Sequence, residues 1–444
     1  MKLAYRAAVA VVGAGLVAGT ATAEQPTTGP VAVYWMSAAT STGMGGMGGM
    51  GGGMGGQGMG RPSAPPPQAQ QQKPKRPGFG AMMGMAIGGG AFGVGGGGGG
   101  EADQDAGSRG GYGGSGGSYG GGYGGRGRGM PPGMGGGGPT RSLMLQLGST
   151  QRPTGAPEAE HLPPAALGAG PSLPLVTPRI APPEPAEPGE PPQMTQRPKG
   201  HMLIYWGCGE HAAAPPIDID FSRIGPGQPM PHFPYIIANP GRPPSAGRFA
   251  TYGEWPNERS RTTVPPDGSL VGDHTVQGDY SPDIHFSLSP NQDFLPALNI
   301  TSTQPTPAGA TRVTWAPVTG ATGYFAWMFG AGGGSGGDTV VMWSSGMSAT
   351  MMGALTDYLP PSEVRRLIAQ RMVMPPTTTE CIVPSEVIKA SPFGMLSMIA
   401  YGEESDFADP PRPASPKAVW NIKWTVKVRR KSTTSSILGM PGRD

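Results

Sequence analysis

The fold class that this 444-residue sequence predicts is mainly β. A β-sandwich is expected in the C-terminal part, a second loop-rich β-region before it, and a long Gly/Met-rich insert without order of its own. Three observations predict this. Apolar and polar residues alternate at period two in runs such as "VWNIKWTVKVRR" and "RSLMLQLGS". Proline or glycine recurs every few residues through 200–290, which excludes long helices there. Residues 43–140 hold 44 of the 79 glycines, and such stretches have too few side chains to bury against the backbone entropy lost on folding.

The first 23 residues carry Lys2 and Arg6, then a short apolar run, then Ala21-Thr22-Ala23. That pattern predicts a secretory signal peptide cut before Glu24. The apolar run is well short of the ~20 residues that span a bilayer, so no transmembrane span is expected in the mature chain. The predicted location is the periplasm, the cell surface or the medium. Only 14% of residues are charged and the formal net charge is +3, so no global field selects a partner. Two cysteines, Cys208 and Cys381, allow one disulfide in an oxidising compartment or two free thiols. A bond between them closes a long loop, worth about 4–5 kcal/mol in the chain-entropy picture.

A first strand region is expected over 24–42, in "VAVYWM", followed by the disordered insert over 43–140. Leu143, Leu145 and Leu147 then share one face of the next strand. The glycine segment therefore reads as a loop between two strands, with a closure cost of roughly 4 kcal/mol for about a hundred residues. The loop-rich β-region is assigned to 141–295, with a proline-rich extended linker over 151–198. Its strands are expected in "GHMLIYW", "IDIDF" and "DIHFSL". The runs "VAVYWMSA", "HMLIYWGC" and "TVVMWSSG" share a loose pattern that reads as strand chemistry rather than a repeat.

In the C-terminal part, Val313 and Trp315 share a strand face, "PVTGATG" supplies a turn, and Tyr324, Ala326 and Met328 alternate with Phe325, Trp327 and Phe329. Aromatic content on both parities predicts a strand buried on both faces. This stretch resembles the B–C hairpin region of fibronectin type III-like domains, with Trp315, Pro317 to Thr322 and Tyr324 at the matching positions. The resemblance implies a β-sandwich over 296–432 with Trp315 and Tyr324 in its core, and it implies architecture rather than activity. Strand alternation adds Trp327, Trp420 and Trp424 to the expected structural core. A helix over about 361–373 is predicted within it, with Ser362 as N-cap and Val364, Leu367, Ile368 and Met372 on one face. In the last strand Trp420, Ile422, Trp424, Val426 and Val428 point inward. Lys423, Lys427 and Arg429 point the other way, a basic outer row extended by Arg430 and Lys431 that reads as edge-strand protection and solubility. A disordered tail is assigned to 433–444. As a whole the chain resembles an uncharacterised secreted proteobacterial family.

Candidate chemistry is sparse. G-x-S-x-G occurs at Ser115 and Ser335, but without the strand-turn-helix that a nucleophile elbow requires. Cys208, Glu210 and His211 lie within four residues yet lack a second ligand pair at zinc spacing. Asp218 and Asp220 share one strand face, a solvated pattern. Met44, Met47, Met50, Met54 and Met59 are soft thioethers at intervals of three to five, the donor type that favours Cu(I). The tract "GSRGGYGGSGGSYGGGYGGRGRG" resembles the RGG segments of RNA-associated proteins, but export argues against nucleic acid. The expected role is a non-catalytic structural or interaction protein of the cell envelope, without a cofactor, whose partner is an envelope protein or polymer. Periplasmic Cu(I) binding through the methionine tract is the rival, and an enzyme of the central region the remote third.

Overall fold

The computed structural model describes residues 27–43, 138–179, 200–223, 237–260, 262–332, 339–350, 352–415 and 418–439. The chain begins with β1 (Thr27–Thr28) and β2 (Ala32–Gly43), and β3 (Thr140–Ser149), β4 (Ala159–Leu162) and β5 (Leu173–Pro174) follow. Next come β6 (His201–Trp206), β7 (Ile217–Asp220), β8 (Thr251–Trp255), β9 (Gly272–Gly278) and β10 (Ile284–Leu288). The last third holds β11 (Ile300–Pro305), β12 (Thr311–Trp315), β13 (Ala321–Ala331), β14 (Thr339–Ser344) and helix α1 (Pro361–Ala369). It ends with β15 (Glu380–Val383), helix α2 (Ser385–Ala390), β16 (Gly394–Asp409), β17 (Trp420–Asn421) and β18 (Trp424–Leu438).

Nine strands form one sheet in the order β7-β6-β14-β13-β16-β18-β2-β3-β8. Strands before and after position 296 share this sheet, so the expected boundary between two β-regions does not divide it. Two smaller sheets cover one of its faces. The four-stranded sheet β10-β9-β4-β5 packs on β18, β2, β3 and β8 through Tyr34, Met36, Leu145, Leu147, Val276 and Phe286. The three-stranded sheet β11-β12-β15 packs on β14, β13 and β16 through Val313, Trp315, Tyr324, Met328, Trp343 and Met398. These three strands over β6, β14, β13 and β16 form a second sandwich, whose core takes in Tyr205 and Leu438 from outside 296–432.

β18 belongs to both sandwiches. Its even residues face the small sheets, with Trp424, Val426 and Val428 in the first core and Leu438 in the second. Between them the same row turns polar at Arg430, Ser432 and Thr434. The link from β10 to β11 crosses here. Thr40 Oγ1 donates to the Leu295 carbonyl at 2.7 Å, Thr42 Oγ1 to the Leu298 carbonyl at 2.6 Å, and the Leu298 N–H to Ser432 Oγ at 2.9 Å. These side chains satisfy a crossing backbone that would otherwise be buried without partners. A bulge at 401–404 of β16 shifts the parity, so Ser405 and Phe407 continue the row that Leu396, Met398 and Ala400 began.

The opposite face is covered by helix and loop. Phe325, Met342, Ile399 and Tyr401 pack under Leu355, Val364, Leu367 and Met372, which is why β13 is apolar on both parities. The helix starts on Pro361 with Pro360 at the N-cap position and no side-chain cap. Ser362 therefore lies inside the first turn rather than capping it, because a proline at N1 is itself pre-organised for the helix. The helix stops at Ala369 and the chain turns through Arg371 at φ 56°, short of the predicted 373.

Three further expectations are corrected. The basic strand is central, lying between β16 and β2, so Arg429 and Arg430 are 5% and 4% exposed rather than an outer row. Residues 433–438, assigned to a tail, continue β18 against β16. The proline-rich stretch 151–179 is part of the first core, since Leu167, Leu173 and Leu175 are buried among its prolines. Of the five expected core residues, Trp315, Tyr324 and Trp424 are buried, while Trp327 and Trp420 are half-buried. The strand breaks at Ile422 and Lys423, leaving Trp420 on the two-residue strand β17 against β1.

Candidate functional site

Inside the first sandwich, polar residues form a line through the apolar core. Tyr34 projects from β2 of the large sheet, His161 from β4 and His274 from β9 of the small one. All three are at most 1% exposed. Tyr34 Oη lies 3.0 Å from His161 Nδ1, His161 Nε2 lies 3.1 Å from His274 Nδ1, and His274 Nε2 lies 2.7 Å from the Leu270 carbonyl. The carbonyl only accepts, so it assigns the proton of His274 to Nε2. His274 Nδ1 then accepts from His161 Nε2–H, and His161 Nδ1 accepts from the Tyr34 hydroxyl. Every hydrogen bond runs the same way, with both rings neutral. Phe286 stacks on His274 at 4.8 Å with the rings 5° from parallel. Burial drives the His161 pKa well below its ordinary value, and the neighbouring His274 lowers it further. Burial lowers His274 as well, against the opposing Leu270 hydrogen bond and Asp273. Burial raises the Tyr34 hydroxyl well above its usual range.

The sequence contains part of this. Asp273, Thr275 and Gln277 alternate with His274 and Val276, which turns His274 inward with the valine. Nothing local pairs it with His161, 113 residues away. That meeting depends on the β4–β9 register, which sets His161 opposite Val276.

A second polar group lies on the other face of the large sheet. Arg429 is held between Trp35 at 5.0 Å and Tyr358 at 4.5 Å, and Lys431 lies 4.4 Å from the Tyr358 ring. Arg429 Nε donates to Ser37 Oγ at 2.7 Å. Burial lowers the pKa of both Arg429 and Lys431. Lys427 contacts Glu404 and Asp406 at 2.7 Å each, and these bonds outweigh burial and raise its pKa. The column is closed over by the 240–249 segment, whose Pro240 carbonyl accepts from Arg429 and whose Gly241 abuts Trp35. Stacked cations over aromatic faces gain about 1–2 kcal/mol when desolvated, and here they bind the loop carrying Tyr358 to β18 of the sheet.

The sequence-predicted clusters resolve into local contacts. Cys208 and Cys381 are bonded, 173 residues apart. They tie the turn after β6 to β15. Glu210 accepts from Thr306 Oγ1, and its carbonyl accepts the Ser385 N–H at 3.1 Å. His211 Nδ1 lies 3.1 Å from Glu386 Oε1 and 3.3 Å from Ser385 Oγ. Both partners meet the same ring nitrogen, whereas a catalytic relay uses one nitrogen for the nucleophile and the other for the acid. Asp218 pairs with His201 at 2.9 Å and Asp220 with Arg223 at 3.0 Å. The Asp218 hydrogen bond raises the pKa of His201. Each of these carboxylates thus serves a separate ion pair on the short edge strand β7.

Met44, Met47, Met50, Met54 and Met59 lie outside the described residues, as do Ser115 and Ser335. Among the described residues no three His, Cys, Asp or Glu side chains are grouped to hold a metal ion, and no helix is long and apolar enough to cross a membrane. A recess of about 740 Å³ at the β16–β18 hairpin is bordered by Trp424 and Val426 from one face of β18 and by Thr425 and Lys427 from the other. It therefore wraps round a strand end rather than forming one cleft. No protein-family model matches the chain, and a search of curated proteins finds no match.

Proposed function

We propose that this protein is an exported, non-catalytic scaffold of the cell envelope, whose double sandwich is a rigid platform presenting the glycine- and methionine-rich segment 44–137 to an envelope protein or polymer. One observation carries the reading. Ser41 pairs with Thr140, so the segment leaves and re-enters through adjacent strands, β2 and β3, near one side of the nine-stranded sheet. Two paired strands fix both ends of the segment side by side, so the sheet sets where it is displayed. The Gly332–Thr339 hairpin connection opens at the same end, since Gly330 pairs with Gly394, Gly394 with Leu438, and Ser435 with Gly43. The Cys208–Cys381 bond is in keeping with an oxidising compartment.

The test compares the full mature chain with a form in which 44–137 is replaced by a short turn. Co-sedimentation with purified cell-wall sacculi and with outer-membrane vesicles should retain the full chain and lose the shortened one. Equal retention of both forms would remove the segment from the binding function. A thermal transition measured on each form separates lost binding from lost folding.

A further inference from the structure

We propose that the Tyr34–His161–His274 chain is an acid-sensitive latch, which in mild acid releases the four-stranded sheet from the nine-stranded one while the second sandwich stays closed.

The geometry has no place for extra protons. A proton added to His161 Nδ1 turns the Tyr34 hydroxyl from donor to acceptor and leaves its O–H directed into an apolar core. A proton added to His274 Nδ1 sets it against His161 Nε2–H at 3.1 Å, two donors facing each other. The groups that face the pair offer little compensation. β2 contributes only Tyr34, β10 contributes Phe286, and Phe407 of β16 packs on that ring. On β9 the one acid is Asp273, which favours charge on His274 but does not prevent its downward shift. Glu160 of β4 is directed away, to Gln277 and Ser172. The loop carrying Leu270 is fixed by Asp293, which accepts the Leu270 N–H at 2.8 Å.

The direction of the pH effect follows. Both histidines titrate lower in the closed form than when released, so the open form binds more protons between the two values. Closure is therefore fully favoured above the free histidine value near pH 6.5 and weakens as pH falls below it. With two protons taken up, the opening constant rises up to about 100-fold per pH unit. The release is local because the ties differ. The second sandwich has the Cys208–Cys381 bond. No disulfide joins the four-stranded sheet to the large one. At its margin the Val176–Glu254 backbone pair, Asn257 to the Pro174 carbonyl and Thr177 to the Tyr252 carbonyl link the two, and Tyr34–His161 is a link inside the core.

Amide exchange by mass spectrometry on the full chain, corrected for the intrinsic pH dependence of exchange, tests this between about pH 7.5 and pH 4.5. Protection in β4, β9 and β10 should fall steeply below the free histidine value, and protection in β12, β13 and β15 should not. The His161→Gln/His274→Gln double variant keeps one donor and one acceptor at each position but cannot titrate, so its protection should be flat with pH. The His285→Gln control, on the outer face, should follow the wild type. An unchanged acid loss in the double variant overturns the latch, as does full wild-type protection at the lowest pH. If the double variant does not fold, the wild-type imidazole nitrogen shifts decide. Two neutral single-tautomer rings up to the point of opening support the latch, and a ring that titrates near pH 6.5 within the closed sheet overturns it.

Discussion

Tyr324 shows how one side chain can serve both packing and backbone. Its ring meets Trp315 edge-on at 5.6 Å, and its hydroxyl accepts the Val318 N–H at 2.9 Å, so the turn before β13 is closed by the residue that begins the core. Tyr324→Phe keeps the ring and leaves that buried N–H without an acceptor. The expected loss is about 1–3 kcal/mol, read as a lower urea midpoint with an unchanged slope. Most of this was legible beforehand, because Trp315 and Tyr324 stand at inward parity on either side of a glycine-containing turn. The hydroxyl's partner was not, since it depends on how tightly the turn closes. Arg429 was misread for a related reason. Its alternation with Val428 correctly placed it on the other face of β18, but parity does not say whether that face meets water or Trp35 and Tyr358.

Among the elements, β18 carries the fold. It pairs with β16 over most of its length and with β2 in parallel from Trp424 to Ser435. Its alternation was plain in the sequence, yet a strand flanked by basic residues suggested an edge. It is central because the chain's first long strand, β2, returns to it from nearly four hundred residues away. The disulfide acts at the same scale, joining the β6 turn to β15. Reduction removes a cross-link closing a loop of 173 residues and should cost about 5 kcal/mol in the chain-entropy picture. The expected outcome is a drop in the thermal transition with reductant. Exchange protection should fall first in β15, β12 and β6, and only later in β9 and β10. Equal loss in both sandwiches would show that they unfold as one unit.

For the whole molecule, the nine-stranded sheet makes residues 44–137 the connection between two neighbouring strands. Shortening it to about four residues should stabilise the fold by about 3 kcal/mol, the difference in closure entropy between the two lengths. A raised midpoint in chemical unfolding is the expected result. A collapse of the transition would instead show that the segment contributes contacts to the folded unit.

Period-two alternation, the turn residues and the glycine partition determined by themselves that this is a β-protein, which residues face inward in β3, β12 and β13, and that 44–137 joins two strands. These features are local, set by side-chain direction along an extended backbone and by the entropy of glycine. The tertiary structure alone decided that both halves share one sheet, that β18 is interior, and that His161 meets His274 under Tyr34. Each of these depends on pairing between strands roughly a hundred residues or more apart. No local propensity encodes such registers; they arise when two apolar faces have a single arrangement that buries both.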